Sequence, residues 1–299
     1  MNAHRFVHAE IDSQPATWTR AAESAESFAP LLPARGQKVA VVGCGTSWFI
    51  AQSYAVLRER AGHGVTDAFA ASEFPGVRDY DLIVALTRSG TTSEIVELIA
   101  TVGDVPTLVI SGVEDSPAVR AATSAIVLDF ADERSVVQTR FATTTLIVLR
   151  CSLGEDVTAA IEDAERALHT PIHDLVGADQ ITFIGTGWSV GLAAEAALKA
   201  REAAQLWTES YPAMDYRHGP ISIAQPGRLV WSFGPTPAGL AEDIAATGAR
   251  AVEHDLDPLA ALIVAQRYAV AEAEARGLNP DQPRSLTRSV ILAPQSSPA

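Results

Sequence analysis

The chain has 299 residues, 47% hydrophobic and 19% charged, with 36 acidic against 22 basic side chains and a net charge of −14. Length sets a soft expectation of two domains, and the composition supports packed cores rather than disorder. The acidic balance argues against nucleic-acid binding, and two cysteines, Cys44 and Cys151, are too few for a disulfide framework or a cysteine metal site.

Residues 1–35 read as a leading segment with one helix, from Ala16 to Phe28, ended by Pro30 and Pro33. Its opening, MNAHRFVHAEIDSQP, has no apolar signal core, and no later apolar run approaches the roughly 18 residues of a membrane span. A cytoplasmic protein without membrane association is expected. Short apolar strands then alternate with helical patterns: strand Val39–Gly43, helix Ser47–Gly62, strand Asp81–Thr87, helix Thr92–Val102, strands Thr107–Ser111 and Ala125–Leu128, and a mostly helical stretch from Thr143 to Leu168. The pattern restarts with strand Ile181–Gly185, helix Val190–Thr208, strand Leu229–Phe233, and helices Leu240–Gly248 and Leu259–Glu274. This alternation implies parallel sheets covered on both faces. The two openings, VAVVGCGTSWFIAQSYA and ITFIGTGWSVGLAAEAA, share a strand, a Gly-x-Gly turn, a serine and a helix. They read as an internal duplication with a boundary near residue 170 and domains at 36–170 and 171–299.

Three segments carry chemistry. Gly43-Cys44-Gly45-Thr46-Ser47 is a strand-to-helix turn, where glycines allow close approach and the helix start offers N–H groups to an anion. It lacks the third glycine of a dinucleotide fingerprint, and a tight turn capped by Ser47 is an equal reading. Thr87-Arg88-Ser89-Gly90-Thr91-Thr92 places four hydroxyls and a glycine at the next helix start, a density that favours phosphate over an ordinary cap. The corresponding second-half loop, Gly234-Pro235-Thr236-Pro237, has one hydroxyl, so one phosphate site per chain is expected.

The third segment runs from Glu195 to Pro220. Glu195, Lys199 and Glu202 share one helix face, flanked by small residues, and His218 follows in a Gly-Pro loop. A carboxylate, a lysine and a histidine together suit proton transfer on a carbonyl substrate. Of the 22 basic residues only Lys38 and Lys199 are lysines; Lys38 opens a strand and reads as a surface residue. His169 and His173, separated by Pro171, read as a solvated linker pair rather than metal ligands.

AEIDSQP, VVGCGTS, LTRSGTTSE, EAALKAREAAQLWTESYPAMDYRHGP and DQPRSLTRSV span the chain in an order that resembles the sugar isomerase (SIS) family, above all the isomerase half of glucosamine-6-phosphate synthases. The resemblance implies an α/β fold of two tandem SIS subdomains, each a parallel sheet between helix layers. It implies a homodimer with active sites at subunit contacts, a small sugar phosphate as partner, and no cofactor or metal. It matches Cys44, Gly45, Thr46, Ser47, Thr87, Arg88, Ser89 and Thr92 to the sugar-phosphate loops. It matches Glu202 to the carboxylate that moves a proton between C1 and C2. His218 corresponds to the ring-opening histidine, often supplied across the dimer, and Lys199 to a lysine beside the transfer. Glu195 and Arg288 are further candidates.

This chain departs from the family pattern in three places. Thr87-Arg88 replaces the usual Ser-Gln, and Arg88 either strengthens phosphate binding or points outward. The glutaminase half has no counterpart, so glutamine-dependent synthesis is not expected. Arg288 stands where a lysine forms a Schiff base, and a guanidinium cannot do so. The expected activity is an isomerase/deaminase acting on an amino-sugar 6-phosphate such as glucosamine 6-phosphate. The alternatives are a fructosamine-6-phosphate deglycase and a non-catalytic sugar-phosphate sensor.

Overall fold

Short all-apolar strands build the centre. The computed structural model describes residues 5–292. The first sheet contains β1 (Val39–Gly43), β2 (Thr66–Ala70), β3 (Leu82–Thr87), β4 (Thr107–Ser111) and β5 (Ser124–Val127), in the order β2-β1-β3-β4-β5. The second contains β6 (Gln180–Gly185), β7 (Thr208–Pro212), β8 (Arg228–Phe233) and β9 (Arg250–Val252), in the order β7-β6-β8-β9. Every pairing is parallel, as expected for strands buried on both faces. The second sheet repeats the order of the first four strands of the first, which supports the duplication. Both Gly43 and Gly185 lie so close to the following helix that a Cβ would overlap the backbone near Ser47 or Ser189.

The helices depart from expectation at several ends. The leading segment holds two helices, α1 (Arg5–Asp12) and α2 (Gln14–Phe28). Next come α3 (Thr46–Arg60), α4 (Ser93–Thr101) and the short α5 (Pro117–Ala121). The stretch expected to be helical from Thr143 to Leu168 is α6 (Arg140–Ser152) and α7 (Thr158–His169), separated at Gly154, whose φ is 79°. In the second half, α8 (Ser189–Ala204) stops before the expected Thr208, because Gln205 takes a left-handed conformation and the chain turns into β7. α9 (Leu240–Ala246) and α10 (Pro258–Ala275) complete the set. Strands β2, β7 and β9 were not expected from the sequence. Among the described residues no helix is long and apolar enough to cross a membrane.

One core runs through both halves. It joins Val41, Ile50 and Leu146 of the first to Phe183, Leu192 and Trp231 of the second, with most of α10 buried against α7 and α8. The helices that follow the two glycine turns, α3 and α8, cross at Gly191. A Cβ there would overlap the Phe49 carbonyl oxygen and the Ser53 hydroxyl. The alanine-rich sequence of α8 permits this approach, and it carries Lys199 to the start of α3.

Helix propensity alone favours Gly191→Ala by up to about 1 kcal/mol. The backbone contact predicts the opposite sign: a loss of about 1–3 kcal/mol on chemical denaturation, as α3 and α8 are forced apart.

Candidate active site

In the first sheet the chain leaves β1 toward β2 and returns to β3 on the other side. Ligands of open α/β sheets gather at such a switch point, beyond the carboxyl ends of the strands. The loops after β1 and β3 border a cavity of about 170 Å³. Cys44, Gly45, Thr46, Thr92 and Glu94 form one side, and Lys199 and Glu202 of α8 another. Val136, Gln138 and the segment from Leu286 to Val290 close the rest. A recess of about 30 Å³ beside it is lined by Ser47, Thr87, Arg88, Ser89, Thr92 and Arg288 among others.

Lys199 is the hub of the polar wall. It is 1% exposed, and its Nζ lies 2.9 Å from Thr46 Oγ1, 2.5 Å from Glu202 Oε2 and 3.5 Å from Glu195 Oε1. Burial pulls its pKa down, but the negative charge shared between Glu195 and Glu202 more than offsets this, so the amine stays protonated. Glu195 is fully buried, and neither carboxyl oxygen has a hydrogen-bond partner. Burial pushes its pKa up to about 8; Lys199 opposes the rise and Glu202 adds to it. Glu202 remains 20% exposed at its side chain and faces the cavity. Two carboxyl groups seven residues apart are thus split into a proton holder and an accessible carboxylate, a separation typical of acid–base sites.

The hydroxyl loop is partly self-satisfied. Thr87 Oγ1 accepts from the Gly90 N–H at 3.3 Å, and Ser89 Oγ accepts from the Thr91 N–H at 3.2 Å. Thr92 borders both cavities at the cap of α4. α3 begins at Thr46 with Gly45 at its cap, so Ser47 lies inside the first turn and faces the recess. Burial raises the Cys44 thiol to about 11, with Glu94 adding to the effect, so it is not a thiolate at neutral pH.

Arg88 follows neither alternative drawn from the sequence. Its side chain is 2% exposed, and Nη1 donates to the Ser135 carbonyl at 3.0 Å while Nη2 donates to the Arg288 carbonyl. Both terminal nitrogens are thus engaged by backbone oxygens and the side chain is turned inward, while Nε has no hydrogen-bond partner among the described residues. Arg288 borders both cavities, but its guanidinium pairs with Asp132 and donates to the Glu133 carbonyl at 3.1 Å. His218 is exposed at the end of a short 3-10 turn and lines neither cavity. Glu94, Val136, Gln138, Thr287, Ser289 and Val290 line the site without having been singled out. The hydroxyl-rich run QTRFATTT was the available signal, but it looks like any helix start.

Comparison with known proteins bears on the fold. Residues 33–153 match the family model described as the SIS domain. A glutamine–fructose-6-phosphate aminotransferase [isomerizing] of Sulfolobus acidocaldarius is 29% identical over 296 residues, covering 85% of this chain and 50% of that protein. The chain thus spans about half the length of that relative. Among solved structures, glucosamine-6-phosphate deaminase from Thermotoga maritima aligns with a TM-score of 0.80 at 23% identity, over 96% of this chain and 99% of that one. Tagatose-6-phosphate ketose/aldose isomerase from Escherichia coli aligns with a TM-score of 0.80 at 18% identity, over 97% of each. The fold is that of the phosphosugar isomerases. Residues 33–153 carry a SIS domain.

Glu195 supplies a pH test. Its carboxyl holds a proton more tightly folded than unfolded, so its contribution to stability is complete at low pH. That contribution is lost as pH rises from the ordinary carboxyl range through about 8. In Glu195→Gln this loss disappears. The drop in Tm between about pH 5 and about pH 8 is therefore smaller than in the parent protein, by roughly 2 °C or more.

Proposed function

We propose that the chain is a phosphosugar isomerase/deaminase that converts an amino-sugar 6-phosphate, such as glucosamine 6-phosphate, to a ketose phosphate and ammonia. The observation that carries this reading is the buried Lys199 ammonium held between Thr46, Glu195 and Glu202, on the wall opposite a hydroxyl-rich helix start. The phosphate sits against Ser47, Thr87, Ser89 and Thr92, where N–H groups and hydroxyls favour an anion. The open-chain aldehyde reaches toward α8. Glu202 takes the C2 proton, giving an enolamine, and returns a proton to C1. Lys199, a protonated donor, stabilises the oxygen that becomes negative. The resulting ketose imine adds water at C2 and releases ammonia.

Imine formation with the protein has no part in this scheme. Lys199 carries its proton and has no free lone pair, and the Arg288 guanidinium cannot form a Schiff base. Ring opening falls to His218, which a second copy of the chain brings to the cavity in the homodimer that the family resemblance implies. The metabolic setting is cytoplasmic.

A second reading, release of an amine from a fructosamine 6-phosphate, is favoured by one observation. Glu94 borders both the site and a neighbouring cavity of about 430 Å³, walled by Phe74, Val77, Leu98 and Val102, with room for an amine substituent.

Purified protein incubated with glucosamine 6-phosphate is expected to release ammonia and fructose 6-phosphate in equal amounts. Glu202→Gln lowers that rate by about 100-fold or more while leaving ligand-induced stabilisation in place. Unchanged turnover in Glu202→Gln overturns the mechanism. Amine release from fructosamine 6-phosphates without ammonia from glucosamine 6-phosphate decides for the second reading. A ligand-induced rise in Tm without turnover on either decides for a sensor.

A further inference from the structure

The segment that closes the cavity has almost no apolar hold. Leu286, Val290, Ile291 and Leu292 are 43–69% exposed. Its attachment is polar. Thr91 Oγ1 lies 2.9 Å from Ser289 Oγ, the Ser93 N–H donates to the Val290 carbonyl at 3.1 Å, and the Leu292 N–H donates to Ser93 Oγ at 2.8 Å. These contacts fasten the segment to the start of α4 but lie near water, where each is worth little. The Arg288 side chain also pairs with Asp132 and donates to the Glu133 carbonyl at 3.1 Å, at a half-exposed position; one contact, by contrast, comes from a buried side chain. The Arg88 guanidinium, buried beneath the loop, donates to the Arg288 carbonyl with one nitrogen and to the Ser135 carbonyl with another.

The residues that Arg88 joins belong to the three walls of the site. Its own backbone is in the hydroxyl loop, Val136 and Gln138 of the second wall follow Ser135, and Arg288 lies in the third. The second wall is itself held by buried carboxylates. Glu10 of α1 accepts from the Ser135 N–H at 3.3 Å and from the Arg134 N–H at 2.5 Å. Glu133 accepts from the N–H groups of Thr139, Arg140 and Phe141 at the start of α6, at 2.6, 2.9 and 3.2 Å. Glu133 and Glu10 also supply negative charge facing the buried Arg88.

We infer that Arg88 is a positioning residue: its buried guanidinium ties the C-terminal segment 286–290 to the 135–138 segment and closes the sugar-phosphate cavity. It touches no reacting atom. It acts through the segments it holds, so its loss opens the cavity without disturbing Lys199 or Glu202. The kinetic part of this inference rests on the proposed function; the structural part does not.

The test uses Arg88→Gln and Arg88→Lys. Lysine keeps the charge facing Glu133 but has one nitrogen, so it remains informative if glutamine prevents folding. Brief trypsin treatment of the native protein, read by mass spectrometry, reports cleavage after Arg284 or Arg288. Both variants are expected to lose the terminal peptide at least about tenfold faster than the parent under conditions where circular dichroism shows them folded, whatever general loss of stability follows from leaving Glu133 and Glu10 without the guanidinium. Inorganic phosphate slows cleavage of the parent more than of the variants. With the sugar phosphate, KM rises about tenfold while kcat changes less than about threefold, a split that general destabilisation does not produce. Parent-like cleavage in a folded variant overturns the inference, as does faster cleavage with an unchanged KM. If the parent itself has no turnover, the proposed function fails, and cleavage alone decides the role of Arg88.

Discussion

Everything at the site depends on one ammonium kept out of water. Moving a lysine amine into a protein interior costs several kcal/mol unless charge compensates it. Here two carboxyl groups lie within reach, and both cannot ionise without leaving excess negative charge in a buried space. The surroundings decide which one yields. Glu195 is sealed and receives no hydrogen bond, whereas Glu202 borders the cavity and is in close contact with the amine. Burial therefore favours a proton on Glu195, Glu202 faces the cavity, and Lys199 remains a donor. One helix face of three ionisable residues becomes an ordered set of roles without a metal-like charge.

That arrangement requires α8 to approach α3 closely, which explains the composition of α8. A bulky residue at Gly191 would hold the helices apart and leave the Lys199 amine short of Thr46. The fold thus places the amine from the second half against a turn from the first. Neither half lines the cavity alone: the hydroxyl loop follows strands of the first sheet, and Lys199 and Glu202 come from the helix that follows β6 of the second.

The apolar strands VAVVG, LIVALT, TLVIS and ITFIG and the helices that follow them were legible because their patterns are strong and local. TDAFA, TESYP and RAV were not, since they are short edge or near-edge strands carrying charged or small residues, and pairing rather than sequence makes them strands. The end of α8 was missed because Gln205-Leu206-Trp207 has no breaker; only the left-handed Gln205 marks the turn. At the site, the loop and the Glu195–Lys199–Glu202 face could be read from spacing; the structure puts Thr92, Lys199 and Glu202 on one cavity, Thr87 and Ser89 on the recess beside it, and Glu195 buried behind Lys199. His218 stands apart from that cavity. The orientation of Arg88 was unreadable, because its partners lie 47 and 200 positions along the chain.

Duplication makes the single loop of hydroxyls the more telling. The second Gly-x-Gly turn has the same strand, crossing and helix start, yet its anion-facing features are consumed. Ser189 Oγ donates to the Phe233 carbonyl at 2.6 Å and accepts from the Thr186 N–H at 2.9 Å. The space in front of Gly187 is filled by the Arg60 guanidinium from the last turn of α3, where a Cβ would overlap it. The loop beyond β8 is stiffened by Pro235 and Pro237 and brings one hydroxyl in place of four. The same topology therefore yields a receptive turn in one half and a filled turn in the other. α8, which begins at this filled turn, carries Lys199 across to Thr46 at the receptive turn, so the two turns differ in what occupies them although strand, turn and helix start are the same.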